Sequence, residues 1–122
     1  MKHSEGFLKL VNDTKTRVRE LSVAETRVRM KANGDAKLID VREDNEWEKA
    51  HAAGSIHLGK GIIERDIETK HPDKSETLVL YCGGGFRSAM VAESLQKMGY
   101  TNAISLDGGW RALKESGLPL AK

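Results

Sequence analysis

Cysteine occurs once in this chain of 122 residues, at Cys82, and proline only twice. A single thiol excludes any disulfide within the chain, and secreted domains of this size more often carry several, so a reducing compartment, the cytoplasm, is expected. Net charge is nearly absent: 20 lysines and arginines against 18 acids leave +2. That is too little to argue for a nucleic-acid partner. The basic pairs Lys15 and Arg17, and Arg27 and Arg29, read as solvated helix faces. Long apolar runs are missing too. Lys2, His3, Glu5 and Lys9 interrupt Met1 to Leu10, which excludes a signal-peptide core there, and no later run reaches membrane-spanning length. No repeat or linker divides the chain, so one domain is expected.

What is present is an alternation of short apolar runs with longer amphipathic ones, the pattern of an α/β domain with a mostly parallel sheet. Residues 4 to 16 read as a helix with Phe7, Leu8 and Val11 on one side, an N-terminal extension packing across the domain. Val18 to Leu21 suits a first strand. Ser22 and Glu25 have capping-box spacing, so a helix starts there and runs to about Asn33, before Gly34. Lys37 to Val41 reads as a buried strand, Glu43 to Ala50 as a short acidic helix, Ser55 to Leu58 as a brief strand and Ile62 to Thr69 as a helical turn or two. Thr77 to Tyr81 has the composition of a central parallel strand buried on both faces. A helix from about Phe86 to Met98 closes at Gly99, Ala103 to Leu106 is the last strand, and a helix from about Trp110 to Ser116 ends before Gly117 and Pro119. The expected architecture is about five strands with helices on both faces of the sheet.

Cys82-Gly83-Gly84-Gly85-Phe86-Arg87-Ser88 joins the strongest strand to the strongest helix. Ligands of open α/β sheets bind outside the carboxyl ends of the strands, which is where this loop falls. Three glycines let the backbone curl so that several N–H groups point inward as an anion nest, and the next helix adds its positive end. Those dipoles, with Arg87, favour negative charge on the sulfur, so Cys82 is the expected nucleophile. The competing reading is a buried cysteine at a strand end beside an ordinary glycine turn. Glycines, helix start and arginine converging on one cysteine weigh against it.

The segments Asp40-Val41-Arg42, Glu46-Trp47, His51 to Leu58, Tyr81 to Ser88, Asp107 to Trp110 and Gly117-Leu118-Pro119 together resemble the rhodanese family, in order and over about residues 18 to 120. The resemblance implies a single-domain sulfurtransferase. In it, Cys82 would carry a sulfane sulfur as a persulfide, and Gly83, Gly84, Gly85, Phe86 and Arg87 would cradle it. Residues 1–17 form an added helical extension and 18–122 the rhodanese-like domain. The donor would be thiosulfate, mercaptopyruvate, a low-molecular-weight persulfide or a protein persulfide, with the plain glycine loop favouring thiosulfate or a persulfide, and the acceptor cyanide or a thiol; no cofactor, metal, nucleic acid or membrane is implied. Where the family commonly has a proline, this chain reads Ala50-His51-Ala52-Ala53-Gly54, a scaffold variation that keeps His51 and Gly54.

Asp40 and Arg42 either orient the active loop or, the preferred reading, anchor the neighbouring segment through ion pairs at a strand end, and Arg87 reads as an anion contact that alternatively pairs with Asp40, Glu43 or Glu46. Trp47 and Trp110 are packing residues by default, and Phe86 is placed as a hydrophobic rim. His3, His51, His57 and His71 show no metal-ligand spacing with Cys82. Two other functions compete. A cysteine-dependent phosphatase or arsenate reductase would use a similar loop, but four residues separate Cys82 from Arg87, one fewer than in those loops, leaving less room for a tetrahedral phosphate. A relay module would pass sulfur between proteins with little small-molecule turnover. Oligomeric state is not legible.

Overall fold

The computed structural model describes residues 3–32 and 34–122. In chain order the elements are α1 (Glu5–Lys15), β1 (Arg19–Leu21), α2 (Val23–Ala32), β2 (Lys37–Asp40), α3 (Asp44–Lys49), β3 (His51–Ala52), β4 (Ile56–His57), α4 (Ile63–Lys70), β5 (Leu78–Tyr81), α5 (Phe86–Lys97), β6 (Ala103–Leu106), α6 (Gly109–Glu115) and β7 (Leu120–Ala121). The main sheet has five strands in the order β1-β6-β5-β2-β4, and every pairing in it is parallel. The α/β class, the five-stranded sheet and the N-terminal helix agree with the sequence reading.

Alternation along the central strands sends side chains to two cores. On one face Leu78, Leu80 and Cys82 pack with Ile39, Val41 and the helix residues Ile63, Ile67, Val91, Ala92 and Leu95. On the other, Val79 and Tyr81 pack with Leu38, Leu106, Leu113, Val23 and Trp110. α4 and α5 therefore cover one face while α2 and α6 cover the other. All four residues of β5 are buried, as its unbroken apolar run requires.

Local chemistry sets most boundaries. The expected capping box forms: the Glu25 amide donates to Ser22 Oγ at 3.1 Å, and the Glu25 carboxylate accepts from the Ser22 amide at 3.0 Å. These bonds hold the Glu25 carboxyl below the usual carboxylate range. α2 ends at Ala32, and Asn33, named as its end from sequence, lies outside the described residues. Gly99 and Gly117 take left-handed φ values of 101° and 80° where α5 and α6 stop.

α1 packs along α5. Val11 and Thr14 are its buried residues, whereas Phe7 and Leu8 stay half-buried. Arg17, just beyond α1, pairs with Glu93 of α5. Sequence reading gave no sign of β3 pairing antiparallel with β7, His51 opposite Ala121 and Ala52 opposite Leu120. Strands of two residues carry too little periodicity to be recognised.

Candidate active site

Cys82 directly follows β5 in the middle of the sheet and is 1% exposed. Its Sγ accepts from the Gly85 amide at 3.2 Å and from the Ser88 amide at 3.4 Å. The second bond follows from helix geometry. First-turn amides have no intrahelical acceptor, so the Ser88 N–H, in the first turn of α5, is free to turn onto the sulfur. The positive end of the α5 dipole lies at the same place.

The shape of the loop is imposed from outside by α6. The Trp110 amide donates to the Cys82 carbonyl at 2.6 Å and the Arg111 amide to the Gly83 carbonyl at 3.3 Å. A trans peptide holds its N–H and C=O on opposite sides, so fixing these two carbonyls against α6 turns the Gly83 and Gly84 N–H groups away from it. Gly109 makes the approach possible: its φ is 52°, and a Cβ there would overlap the Cys82 carbonyl oxygen and lie 2.9 Å from the Gly83 carbonyl. Of the three loop glycines only Gly85 uses a left-handed φ, 94°, and its open side faces the Leu106 carbonyl and the Gly108 amide at 3.3 Å. Gly83 lies against the Arg87 guanidinium and Gly84 against the Phe86 ring, at 3.2 and 3.6 Å from where a Cβ would be.

Arg87 lies in the first turn of α5 and binds Glu46 of α3 through both guanidinium ends, Nη1 at 3.0 Å and Nη2 at 3.2 Å. Of the three acids weighed from sequence, Glu46 is the partner. The bond holds the Glu46 carboxyl below the usual carboxylate range and raises Arg87, which the nearby Cys82 also favours. A permanently charged group thus stands beside the sulfur.

Phe86 opens α5 and turns outward to the N-terminal extension. The His3 and Phe7 rings meet it with centroids 4.7 and 6.2 Å away, and the Lys15 ammonium sits 5.1 Å over its face. The extension therefore reaches the rim of the loop, a contact that sequence spacing could not show.

Asp40 and Arg42 do not touch the sulfur. Both are buried, with Arg42 Nη2 bonding the Asp40 carboxylate at 2.8 Å and the Ala50 carbonyl at 2.7 Å. The Arg42 guanidinium also lies 4.4 Å over the Trp110 ring. They anchor the end of β2 to the segment before β3 and to the start of α6. Trp47 stacks between two histidines, with centroids 3.4 Å from His51 and 4.9 Å from His57. Tyr81 faces the opposite core, where burial pushes its phenol up to about 12.

From sequence, Ser88 only closes the loop and Ser105 carries no assigned role. Ser88 Oγ lies 3.6 Å from Cys82 Sγ and 2.8 Å from Ser105 Oγ on β6, and both serines are fully buried. Two polar residues in otherwise apolar stretches, Ser88 after the loop and Ser105 inside β6, were the available signal.

An open parallel sheet holding a cysteine at the carboxyl end of its central strand, ringed by amides from the following loop and helix, defines the class. The chain belongs to the rhodanese-like domain family, whose model matches residues 22–116. It is 33% identical over 84 residues to the thiosulfate sulfurtransferase PspE of Escherichia coli, spanning 69% of this chain and 77% of that protein. With the thiosulfate sulfurtransferase GlpE of Coxiella burnetii it shares 31% over 80 residues, 66% of this chain and 73% of the relative. Among solved structures, a Rhodopseudomonas palustris protein described as of unknown function and a possible tyrosine phosphatase superposes with a TM-score of 0.83 at 25% identity, covering 99% of this chain and 98% of that one.

Proposed function

We propose that this protein is a rhodanese-type sulfurtransferase that carries a sulfane sulfur on Cys82, with Gly83, Gly84, Gly85, Phe86 and Arg87 as the substrate-binding loop. The observation that carries the reading is the buried Cys82 Sγ accepting two backbone N–H bonds at the mouth of α5. The identification of its relatives PspE and GlpE as thiosulfate sulfurtransferases supports it. The Cys82 thiolate attacks the outer sulfur of thiosulfate; the new S–S bond forms as the sulfur–sulfur bond of the donor breaks, and sulfite leaves with the electron pair. Cyanide or a thiol then attacks the outer sulfur of the persulfide. That step returns the Cys82 thiolate and gives thiocyanate or a new persulfide.

The Gly85 and Ser88 amides already point at the atom that would carry the transferred sulfur, and Arg87 supplies a positive charge that attracts an anionic donor. Residues 1–17 act as an extension of the 18–122 domain, and the lone thiol suits a reducing cytoplasm.

Intact-mass spectrometry after thiosulfate, without reductant, tests this. A gain of about 32 Da on Cys82, removed by cyanide with release of thiocyanate, is the expected result. No adduct with thiosulfate or an organic persulfide, together with hydrolysis of an aryl phosphate, overturns it in favour of a phosphatase.

A relay between proteins uses the same sulfur and is favoured by one observation, the His3, Phe7 and Phe86 cluster beside the loop. Faster loading from a protein persulfide than from thiosulfate would select it.

A further inference from the structure

We infer that Ser105, fully buried in β6 and one residue removed from the sulfur, is a positioning residue that points the Ser88 hydroxyl at the Cys82 sulfur. The inference deepens the sulfurtransferase reading of this site and rests on it for its biological use, though not for its test.

Three atoms form a line sealed from solvent: Cys82 Sγ, Ser88 Oγ at 3.6 Å, and Ser105 Oγ a further 2.8 Å away. Among the described residues the Ser105 hydroxyl has one hydrogen-bond partner, Ser88. A hydroxyl carries one hydrogen, and this line has two links to fill. When the sulfur bears a hydrogen, three hydrogens compete for two links and one buried donor is left without an acceptor. When the sulfur has none, as a thiolate or as the inner sulfur of a persulfide, two hydrogens fill two links. Ser105 then donates to Ser88 Oγ and Ser88 donates to Sγ.

Ser105 sets this direction. An Oγ that already accepts from Ser105 has to send its own hydrogen elsewhere, and Sγ is the remaining acceptor on the line. Accepting a bond also makes the Ser88 O–H a better donor. The chain therefore favours the reactive and sulfur-loaded states over the thiol. Other charged groups near the sulfur are Arg87 on α5 and its partner Glu46 on α3, with the Asp40–Arg42 pair at the end of the neighbouring β2; none bonds either serine.

The test is the pH profile of Cys82 alkylation by iodoacetamide, read by intact mass, for the wild type, Ser105→Ala, Ser88→Ala, the double variant and Ser105→Thr. Expected is alkylation of Ser105→Ala about two- to tenfold slower near neutral pH, with the profile displaced toward alkaline pH, the size of one net hydrogen bond. Ser105→Thr keeps the hydroxyl and restores the wild-type profile, while Ser105→Ala added to Ser88→Ala changes nothing further. An unchanged profile in Ser105→Ala overturns the inference. So does an equal effect of Ser105→Ala with and without Ser88, because Ser105 would then not act through it. If Ser105→Thr is too large for its site to fold, the comparison of the two alanine variants with their double still decides. Alkylation requires no sulfur transfer, so failure of the proposed activity and failure of this inference are read separately.

Discussion

The Trp110 amide donates to the Cys82 carbonyl at 2.6 Å, so the first turn of α6 grips the loop from the side opposite the sulfur. This bond connects the Asp107 to Trp110 segment, which never reaches the sulfur, to the geometry of the cradle. Gly109 is the residue that allows the approach.

Gly109→Ala is accordingly expected to lose about 2–4 kcal/mol of stability, since a left-handed φ and an overlap with backbone oppose the new methyl together. Urea unfolding measures the loss. Alkylation of Cys82 should fall in the molecules that remain folded, because the carbonyls that orient the loop amides are displaced.

Cys82→Ser should abolish sulfur loading while leaving the melting temperature within a few degrees of wild type, since the hydroxyl is smaller than the thiol and the same amides can reach it. Thiocyanate production and a thermal melt check the two halves. Residual transfer at the wild-type rate would remove Cys82 from the mechanism.

Arg87→Ala should raise the KM for thiosulfate about tenfold with a smaller change in kcat, the expected cost of one charge-assisted contact to an anion. Steady-state kinetics decides. An unchanged KM would make Arg87 a clamp for α3 alone.

The Glu46 bond to Arg87 has a pH signature. Because Arg87 holds the Glu46 carboxyl below its unfolded value, the stability it adds is complete above the ordinary glutamate range and is lost as pH falls through the lower folded value. Wild type should melt higher than Glu46→Gln near neutrality, and the two curves should draw together as pH falls below the ordinary glutamate range. A gap that persists at acid pH would assign the effect to packing.

Deleting residues 1–16 removes the fully buried Val11 and should lower the melting temperature by at least about 5 °C. Phe7→Ala is the gentler probe. It should leave folding intact while slowing transfer from an organic persulfide more than from thiosulfate, because Phe7 meets the loop through Phe86 at its rim.

Much of this was legible in order and composition. The run from Leu78 to Tyr81, the glycines after Cys82 and the Ser22–Glu25 box are local signals, and local signals survive folding. Arg87 read as an anion contact or the partner of an acid, and singling out Glu46 over Asp40 and Glu43 needed the position of Glu46 beside the first turn of α5. Ser105 stands out as a polar residue inside β6, but its meaning lies in meeting Ser88 of α5, and that contact exists only in the fold. β3 and β7 depend wholly on each other, and neither has a pattern of its own.

The strand order also determines where the molecule can breathe. β1, with three residues, and β4, with two, form the edges, while β5 has a paired neighbour on each side and no exposed residue. Local opening starts where few contacts hold, so amide exchange should be quick at Arg19–Leu21 and Ile56–His57 and slow from Leu78 to Tyr81. The edges can fray and reclose many times while the loop that begins at Cys82 keeps its shape.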